Sequence, residues 1–501
     1  MAFCEDCGSP LSEGVAFCEN CGAKLNIIEK NENIVNTPPY TSVKANGLVY
    51  TNLNLLANKT NLSKENLLLI INSFIEDALV RGIGYTLKDV SDSFSTVGSV
   101  ENHIRIIKST VQELKPKYLF ILGSSNVIPS IIWENKASDC GSDADVSSDL
   151  PYATLDTTSP FEGQEYDFED TLRVGRLPNI DFETYFANLK EGCGKIETIS
   201  TFAESAEVWV EETIDIYSHI KSGPNVHTSP EHTTETTKST ISSSGNSNLF
   251  LFNLHGSDQT EYWYGQRGGS YPEAVAPDTF DGLEKPYFLA VEACYGAAYE
   301  DREIDKSILL SSLSGKCISF LGSSRIAFGT PRAPGSCADV ICGEYLKNLK
   351  EGMSAGDALG KARNELMEDD DAEEIKTLAE FSLYGDPSAR MFGEPKPTKT
   401  SLFSKNTTQA FLKGIRIPLP NIRKAIRLEL TNVEEKIAQI VQESVYKQYA
   451  DLEGIVPKFF KNQNETDKYH AVFEKSNVLG KKIVSVSFGK NGQIKSIKES
   501  K

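Results

Sequence analysis

Apolar and polar residues follow two rhythms along this chain. From Ser63, the residues Leu67, Leu68, Ile71, Phe74, Ile75 and Leu79 recur at helical spacing, with Ser63 placed to cap the start. A second helix is predicted over 100–114. Short, largely apolar runs break this rhythm at 118–123, 249–254, 287–293 and 317–321, and they stop at glycine, histidine or cysteine or run into a glycine. Buried parallel strands enter loops in this way. Helical stretches over 196–220, 337–349 and 354–367 lie between or after them. Strands alternating with helices predict an α/β domain built on a mostly parallel sheet flanked by helices. In such sheets ligands bind beyond the carboxyl ends of the strands, where His255, Cys294 and the turn Gly322-Ser323-Ser324 all fall.

The ends of the chain differ from its middle. Residues 1–25 are a unit of their own, and 26–50, polar and carrying Pro38 and Pro39, read as a linker. The α/β domain is expected over 51–395, with a long acidic loop at 137–170 that suits a lid or substrate wall. A Ser/Thr/Asn-rich stretch at 233–248 is expected to be mobile and cleavable. After Pro395 a small α+β domain is expected over 396–501. It has an amphipathic helix within 421–452 and strands at 468–474 and 483–497, the latter folded at Lys490-Asn491-Gly492.

Charge and cysteine usage narrow the picture. The net charge of −19 argues against a nucleic-acid coat, since phosphate binding needs a basic surface. The last hundred residues carry about +8, a mark either of an interaction module or of a basic solvated face. No run approaches the ~20 apolar residues that cross a bilayer, so no membrane partner is expected. The first residues show neither a basic nor an apolar leader region, and cytoplasmic location is the expectation. Of ten cysteines, Cys140, Cys193, Cys294, Cys317, Cys337 and Cys342 are scattered and read as reduced thiols.

The other four form the most specific motif. Cys4-x-x-Cys7 and Cys18-x-x-Cys21 are ten residues apart, each second cysteine followed by glycine. Two such pairs set four thiolates around one zinc ion at about 2.3 Å. Four protein ligands close the shell, so the ion is structural and stabilises a segment too small to fold on its own core. A redox pair is the competing reading. The segment resembles the short zinc ribbons at the head of many bacterial and archaeal proteins.

The chemistry of the middle rests on a thiol and an imidazole. A thiol attacks a carbonyl as thiolate, and an adjacent imidazole supplies or stabilises that charge. His255 is followed by Gly256, and the backbone N–H groups of Gly256 and Cys294 are candidate oxyanion donors. Taken singly, a cysteine or histidine after an apolar strand is more often a packed core residue. Their shared placement at strand ends, 39 positions apart, raises the functional reading.

The flanking stretches resemble the gingipain-like branch of caspase-fold cysteine peptidases. Ser148-Asp149-Leu150-Pro151-Tyr152 with Arg173-Val174-Gly175-Arg176-Leu177-Pro178, then His255-Gly256 with Trp263, Ala293-Cys294, Leu321-Gly322-Ser323-Ser324-Arg325 and Tyr384-Gly385-Asp386-Pro387 occur in the family's order, over about 115–392. The resemblance implies a caspase-like fold, Cys294 as nucleophile and His255 as general acid. It implies Asp149 as an orienting acid for His255, the competing reading being a solvated loop acid. An acid in the specificity pocket would favour Arg or Lys at the cleaved bond, with Asp156 the candidate. Trp263 is a pocket wall or a core residue, and Ser323 and Ser324 line the substrate strand. A protein or peptide substrate is implied, with a further protein partner for the ribbon or the C-terminal domain. The family is typically secreted, whereas this chain reads as a regulated intracellular enzyme. An inactive caspase-like scaffold and a nucleic-acid-binding regulator are the alternatives.

Overall fold

The computed structural model describes residues 2–3, 10–11, 45–223, 225–244, 247–367, 371–393, 421–422, 425–463 and 467–501. The chain divides into two compact units, Met1–Val43 and Lys44–Lys501. In the first, Ala2–Phe3 pairs antiparallel with Pro10–Leu11. Cys4, Cys7, Cys18 and Cys21 lie outside the described residues.

The second unit is built on a ten-stranded sheet. Its order is His227–Ser229, Thr201–Ala206, Leu249–Asn253, Tyr287–Val291, Cys317–Ser323, Phe381–Gly385, Arg173–Leu177, Tyr118–Leu122, Ala45–Thr51 and Gly84–Asp89. Every neighbouring pair is parallel except Cys317–Ser323 with Phe381–Gly385. Two parallel halves therefore run in opposite directions and meet at one antiparallel seam. The strands Leu249–Asn253, Tyr287–Val291 and Cys317–Ser323 belong to one half, so their carboxyl ends share an edge. All three are fully buried, as their largely apolar runs require.

The helices form where capping and periodicity place them. Ser63 Oγ accepts the N–H of Asn66 at 3.1 Å and starts helix Lys64–Val80, which buries Leu67, Ile71, Phe74 and Ala78. Helix Val100–Leu114 has the expected bounds. Two expectations are corrected. Residues 45–50, read as linker, belong to the sheet strand Ala45–Thr51. The stretch read as one helix over 196–220 is strand Thr201–Ala206 followed by helix Val210–Ile220. Its polar Glu204 is buried in the strand, and the Thr237 hydroxyl bonds both of its carboxylate oxygens, at 2.9 and 3.1 Å. Thr237 sits on helix Thr234–Ser244, in the stretch expected to be mobile. Its hydroxyl ties that helix to the sheet through Glu204.

A second, six-stranded antiparallel sheet is formed by Phe328–Gly329, Ile494–Ser500, Gly480–Phe488, Tyr469–Asn477, Lys458–Asn462 and Leu428–Leu430. Helix Glu435–Gln448 lays Val441 and Val445 against Phe473, Val484, Val486 and Phe488. The α+β character expected of this region is present. Its edge strand Phe328–Gly329, however, comes from the α/β portion of the chain, so the two sheets are stitched together. Among the described residues no helix is long and apolar enough to cross a membrane.

Arg176, wholly buried, knots one half of the ten-stranded sheet to its loops. It donates to both oxygens of Asp149 at 2.6 Å and to the carbonyls of Gly123 and Ile128 at 2.8 Å. Replacing one partner of a buried ion pair leaves the other charge uncompensated. Arg176→Met is expected to lower the unfolding free energy by about 3–5 kcal/mol in a urea titration; a loss below about 1 kcal/mol, the size of an exposed pair, would contradict this role.

Candidate active site

Cys294 and His255 sit just past neighbouring strands of one parallel half, and both line a cavity of about 180 Å³. The two strand ends touch at Gly256, where a Cβ would fall 1.8 Å from the carbonyl oxygen of Cys294. Only glycine permits that approach. The Cys294 thiol faces the carbonyl of Ala327 at 3.5 Å. Its backbone N–H points instead into the cleft, where it meets the carbonyl oxygen of Lys501 at 3.3 Å.

His255 is held by Gln266, whose Oε1 lies 2.7 Å from Nε2. The Gln266 amide nitrogen donates to the carbonyl of Gly268 at 2.9 Å, which turns its oxygen toward the ring. The proton therefore belongs on Nε2, and Nδ1 is the acceptor. Trp209 packs on the imidazole with ring centroids 4.3 Å apart, and Tyr271 meets it edge-on at 5.2 Å. Burial lowers the His255 pKa to about 3 despite the Gln266 bond, with Lys482 and Lys501 adding to the fall. Burial likewise pushes the Cys294 thiol up. With the cleft covered, the pair is neutral thiol and neutral imidazole.

Beside Cys294 lies a pocket of buried acids. Glu292, two residues before the thiol, Glu212 on helix Val210–Ile220 and Asp339 on helix Ala338–Lys350 bring carboxylate oxygens within 4.8 Å of one another. Inside it is the ammonium of Lys501, 3.0 Å from Asp339, 3.9 Å from Glu292 and 4.4 Å above the Trp209 ring. Neither oxygen of Glu292 has a hydrogen-bond partner among the described residues. Burial, then Asp339, pushes Glu212 up to about 9, and the same causes hold Glu292 well above the carboxylate range. Burial alone would lower the Lys501 pKa, but Asp339, Glu212 and Glu292 outweigh it and raise it.

The floor of the cleft is the segment Ile326-Ala327. Buried Lys376, paired with Asp139 at 2.6 Å and Asp143 at 2.7 Å, donates to the Ile326 carbonyl at 2.7 Å, and Asp143 accepts the Ile326 N–H at 3.0 Å. This clamp fixes the next carbonyl, that of Ala327, which receives both the Cys294 thiol and the Lys501 N–H.

Several residues expected in the site lie elsewhere. Asp149 is bound to Arg176 and Ser130 rather than to His255. Asp156 is held by Thr158 and Tyr166 and does not line the Cys294 cavity. Trp263 packs in the core on Phe252 and Phe320. Ser323 bonds within its own turn to Arg325, and Ser324 bonds the Ser147 carbonyl at 2.7 Å; neither lines the cavity. The acids and the aromatic ring that the structure places around the Lys501 ammonium beside Cys294 are Glu212, Glu292 and Asp339 with Trp209. Gln266 takes the orienting place given to Asp149. Glu292 carried a readable signal, an acid closing an otherwise apolar strand next to the candidate nucleophile.

The family model of peptidase family C25 matches residues 83–392, more than half of the chain, and the zinc-ribbon domain model matches 3–25. The chain belongs to peptidase family C25 and is a cysteine-type peptidase acting on proteins or peptides. Among solved structures it is similar to the complex of the Porphyromonas gingivalis RgpB pro- and mature domains, at 12% identity and a TM-score of 0.51, over 91% of this chain and 99% of that one. A crystal structure of the Arg-specific cysteine proteinase gingipain R is also similar, at 11% identity and a TM-score of 0.49, over 92% and 99% of the two chains. No curated protein matches the sequence. The fold is the gingipain-like, caspase-like one that the ordered motifs implied.

The histidine carries a pH signature. With its pKa at about 3 in the fold against an ordinary 6.5, the folded chain binds fewer protons than the unfolded one between those values. Its stabilising contribution is complete above pH 6.5 and is lost as pH falls toward 3. His255→Asn is expected to flatten the pH dependence of unfolding free energy across that window, whereas identical slopes in urea titrations of the two proteins would refute the buried neutral imidazole.

Proposed function

We propose that this chain is a cysteine endopeptidase that cleaves after basic residues, with Cys294 as nucleophile and His255 as its proton partner. The observation that carries the reading is the position of Lys501: its carbonyl oxygen meets the Cys294 N–H while its ammonium enters the acid pocket. A substrate residue in that position presents its carbonyl carbon to the thiol and its charge to Glu212, Glu292 and Asp339.

Opening the cleft to water removes the desolvation that holds both groups neutral, and the proton passes from Sγ to the imidazole. The thiolate adds to the carbonyl carbon, and the oxyanion develops toward the Cys294 N–H, with the adjoining Gly256 N–H as second donor. His255 then protonates the leaving amine, the thioester forms, and water attacks it with His255 as general base. Gln266 is a positioning residue: it fixes the ring and its tautomer. Trp209 supports both the ring and the pocket.

The zinc ribbon supplies four thiolates, Cys4, Cys7, Cys18 and Cys21, a donor set that suits one structural ion. The reading includes regulation, since the cleft is covered. It also includes a reducing, cytoplasmic setting, supported by six unpaired cysteines among the described residues.

Two measurements test this. In a peptide-library digest, cleavage on the carboxyl side of basic residues is expected from the native chain and none from Cys294→Ala; equal cleavage by both would remove the assignment. Atomic emission is expected to find one zinc per chain, lost in Cys18→Ser, and a metal-free native chain would overturn the zinc reading.

A further inference from the structure

Strand Ile494–Ser500, paired with Gly480–Phe488 as far as Glu499, runs at its end into the peptidase cleft. Glu499 and Ser500 lie opposite Gly329 and Phe328, antiparallel. The Lys501 N–H donates to the Ala327 carbonyl at 3.0 Å, and its own carbonyl accepts from Cys294. An extended peptide that adds a strand to an exposed edge makes these bonds. The side chain of Lys501 runs where a Cβ on Gly329 would lie 2.0 Å from its Cε, so the glycine is the doorway of the pocket. Glu499 accepts a hydrogen bond from the Trp209 indole.

The rest of the C-terminal region holds this strand in place. Lys498, buried, pairs with Asp371 at 3.0 Å and Glu374 at 3.1 Å. Val472 and Ile483 pack against Phe328 and Cys337 beside Cys294. On the other side of the thiol the hairpin tip covers the cleft: Leu479 accepts from the Ser257 hydroxyl at 3.1 Å, and Lys481 donates to Ser142 at 2.9 Å.

Resting on the peptidase reading above, we infer that the C-terminal domain is a tethered ligand of this chain's own active site. Lys501 occupies the specificity pocket, the cleft opens only when the strand lifts away, and the pocket takes lysine in preference to arginine. The preference comes from how the carboxylates are presented. Asp339 Oδ2 is bound by the N–H groups of Thr330 and Ser336 at 2.7 and 3.1 Å, and Glu212 Oε2 by Asn253 at 3.2 Å. Asp339 and Glu212 thus each turn one oxygen to the pocket, and Glu292, from a third side, brings its nearer oxygen to 3.9 Å from the ammonium. Single oxygens converging from three sides suit a compact ammonium, whereas a guanidinium is best held by a two-oxygen fork. Tethering keeps the local concentration of this ligand near the millimolar range, enough to exclude a dilute substrate.

The test uses the full chain and a chromogenic lysyl peptide amide. Lysine-directed cleavage by Lys501→Ala is expected to exceed that of the native chain in kcat/KM by about ten-fold or more, the scale of a lost tether. Glu499→Ala, which keeps the lysine in place, is expected to rise by a smaller factor and carries the test if Lys501→Ala does not fold. The peptide Ile-Lys-Glu-Ser-Lys, residues 497–501, is expected to inhibit Lys501→Ala competitively, and its arginine-ended analogue more weakly. Equal rates for the native chain and both variants would overturn the tether while leaving the peptidase reading intact. Equal inhibition by the two peptides would overturn the lysine preference. If no form cleaves and a lysyl chloromethyl ketone fails to label Cys294 in the variants, the peptidase reading falls and this inference falls with it.

Discussion

Glu212, Glu292 and Asp339 are wholly buried within one small space, and such a cluster needs protons or a cation to offset its charge. Removing a carboxylate from water costs several kcal/mol, and Glu292 recovers none of it through hydrogen bonds among the described residues. Two compensations are available, proton uptake and an ammonium, and the site uses both: Glu212 and Glu292 hold protons far above the usual range, and Lys501 stands 3.0 Å from Asp339. Much of the local architecture serves this arrangement. Trp209 offers its face to the ammonium, Gly329 leaves room for the lysine stem, and the loop N–H groups of Thr330 and Ser336 fix the Asp339 carboxylate.

The sheet brings that pocket to the thiol. Because Leu249–Asn253, Tyr287–Val291 and Cys317–Ser323 run parallel, the residues after them emerge at one edge, and the contact at Gly256 fixes how closely the first two approach. The Lys376 clamp then sets the Ala327 carbonyl, so the recognition of backbone and of side chain meets at Cys294. A strand that satisfies both at once is held by directional bonds and by charge, which is how the small domain closes a cleft with residues 499–501.

The legible part of this design was the part written in local pattern. Largely apolar runs marked four sheet strands, because burial on both faces removes the alternation that half-exposed strands show. The histidine, cysteine and glycine just past three of those runs marked the chemical edge. The ordered motifs led to the right family, and Asp149, expected to orient His255, is paired with the buried Arg176 instead. Strand Thr201–Ala206 was hidden by its buried glutamate, whose partner Thr237 lies 33 positions away. The pocket was hidden for the same reason. Glu212, Glu292 and Asp339 come from three separate elements, and no spacing rule links them. Gln266 replaces the expected orienting acid with a neutral amide, which no search for charged residues would find.

The central claim is that a lysine-binding acid pocket adjoins a reactive Cys294. Its most direct measurement is mass-spectrometric mapping of the Lys501→Ala chain after treatment with matched lysyl and arginyl chloromethyl ketones. The account predicts a single adduct on Cys294, formed faster with the lysyl reagent and absent in Glu292→Gln combined with Asp339→Asn. Adducts spread over Cys140, Cys317 and Cys342, or equal rates with a reagent that carries no charge, would contradict it.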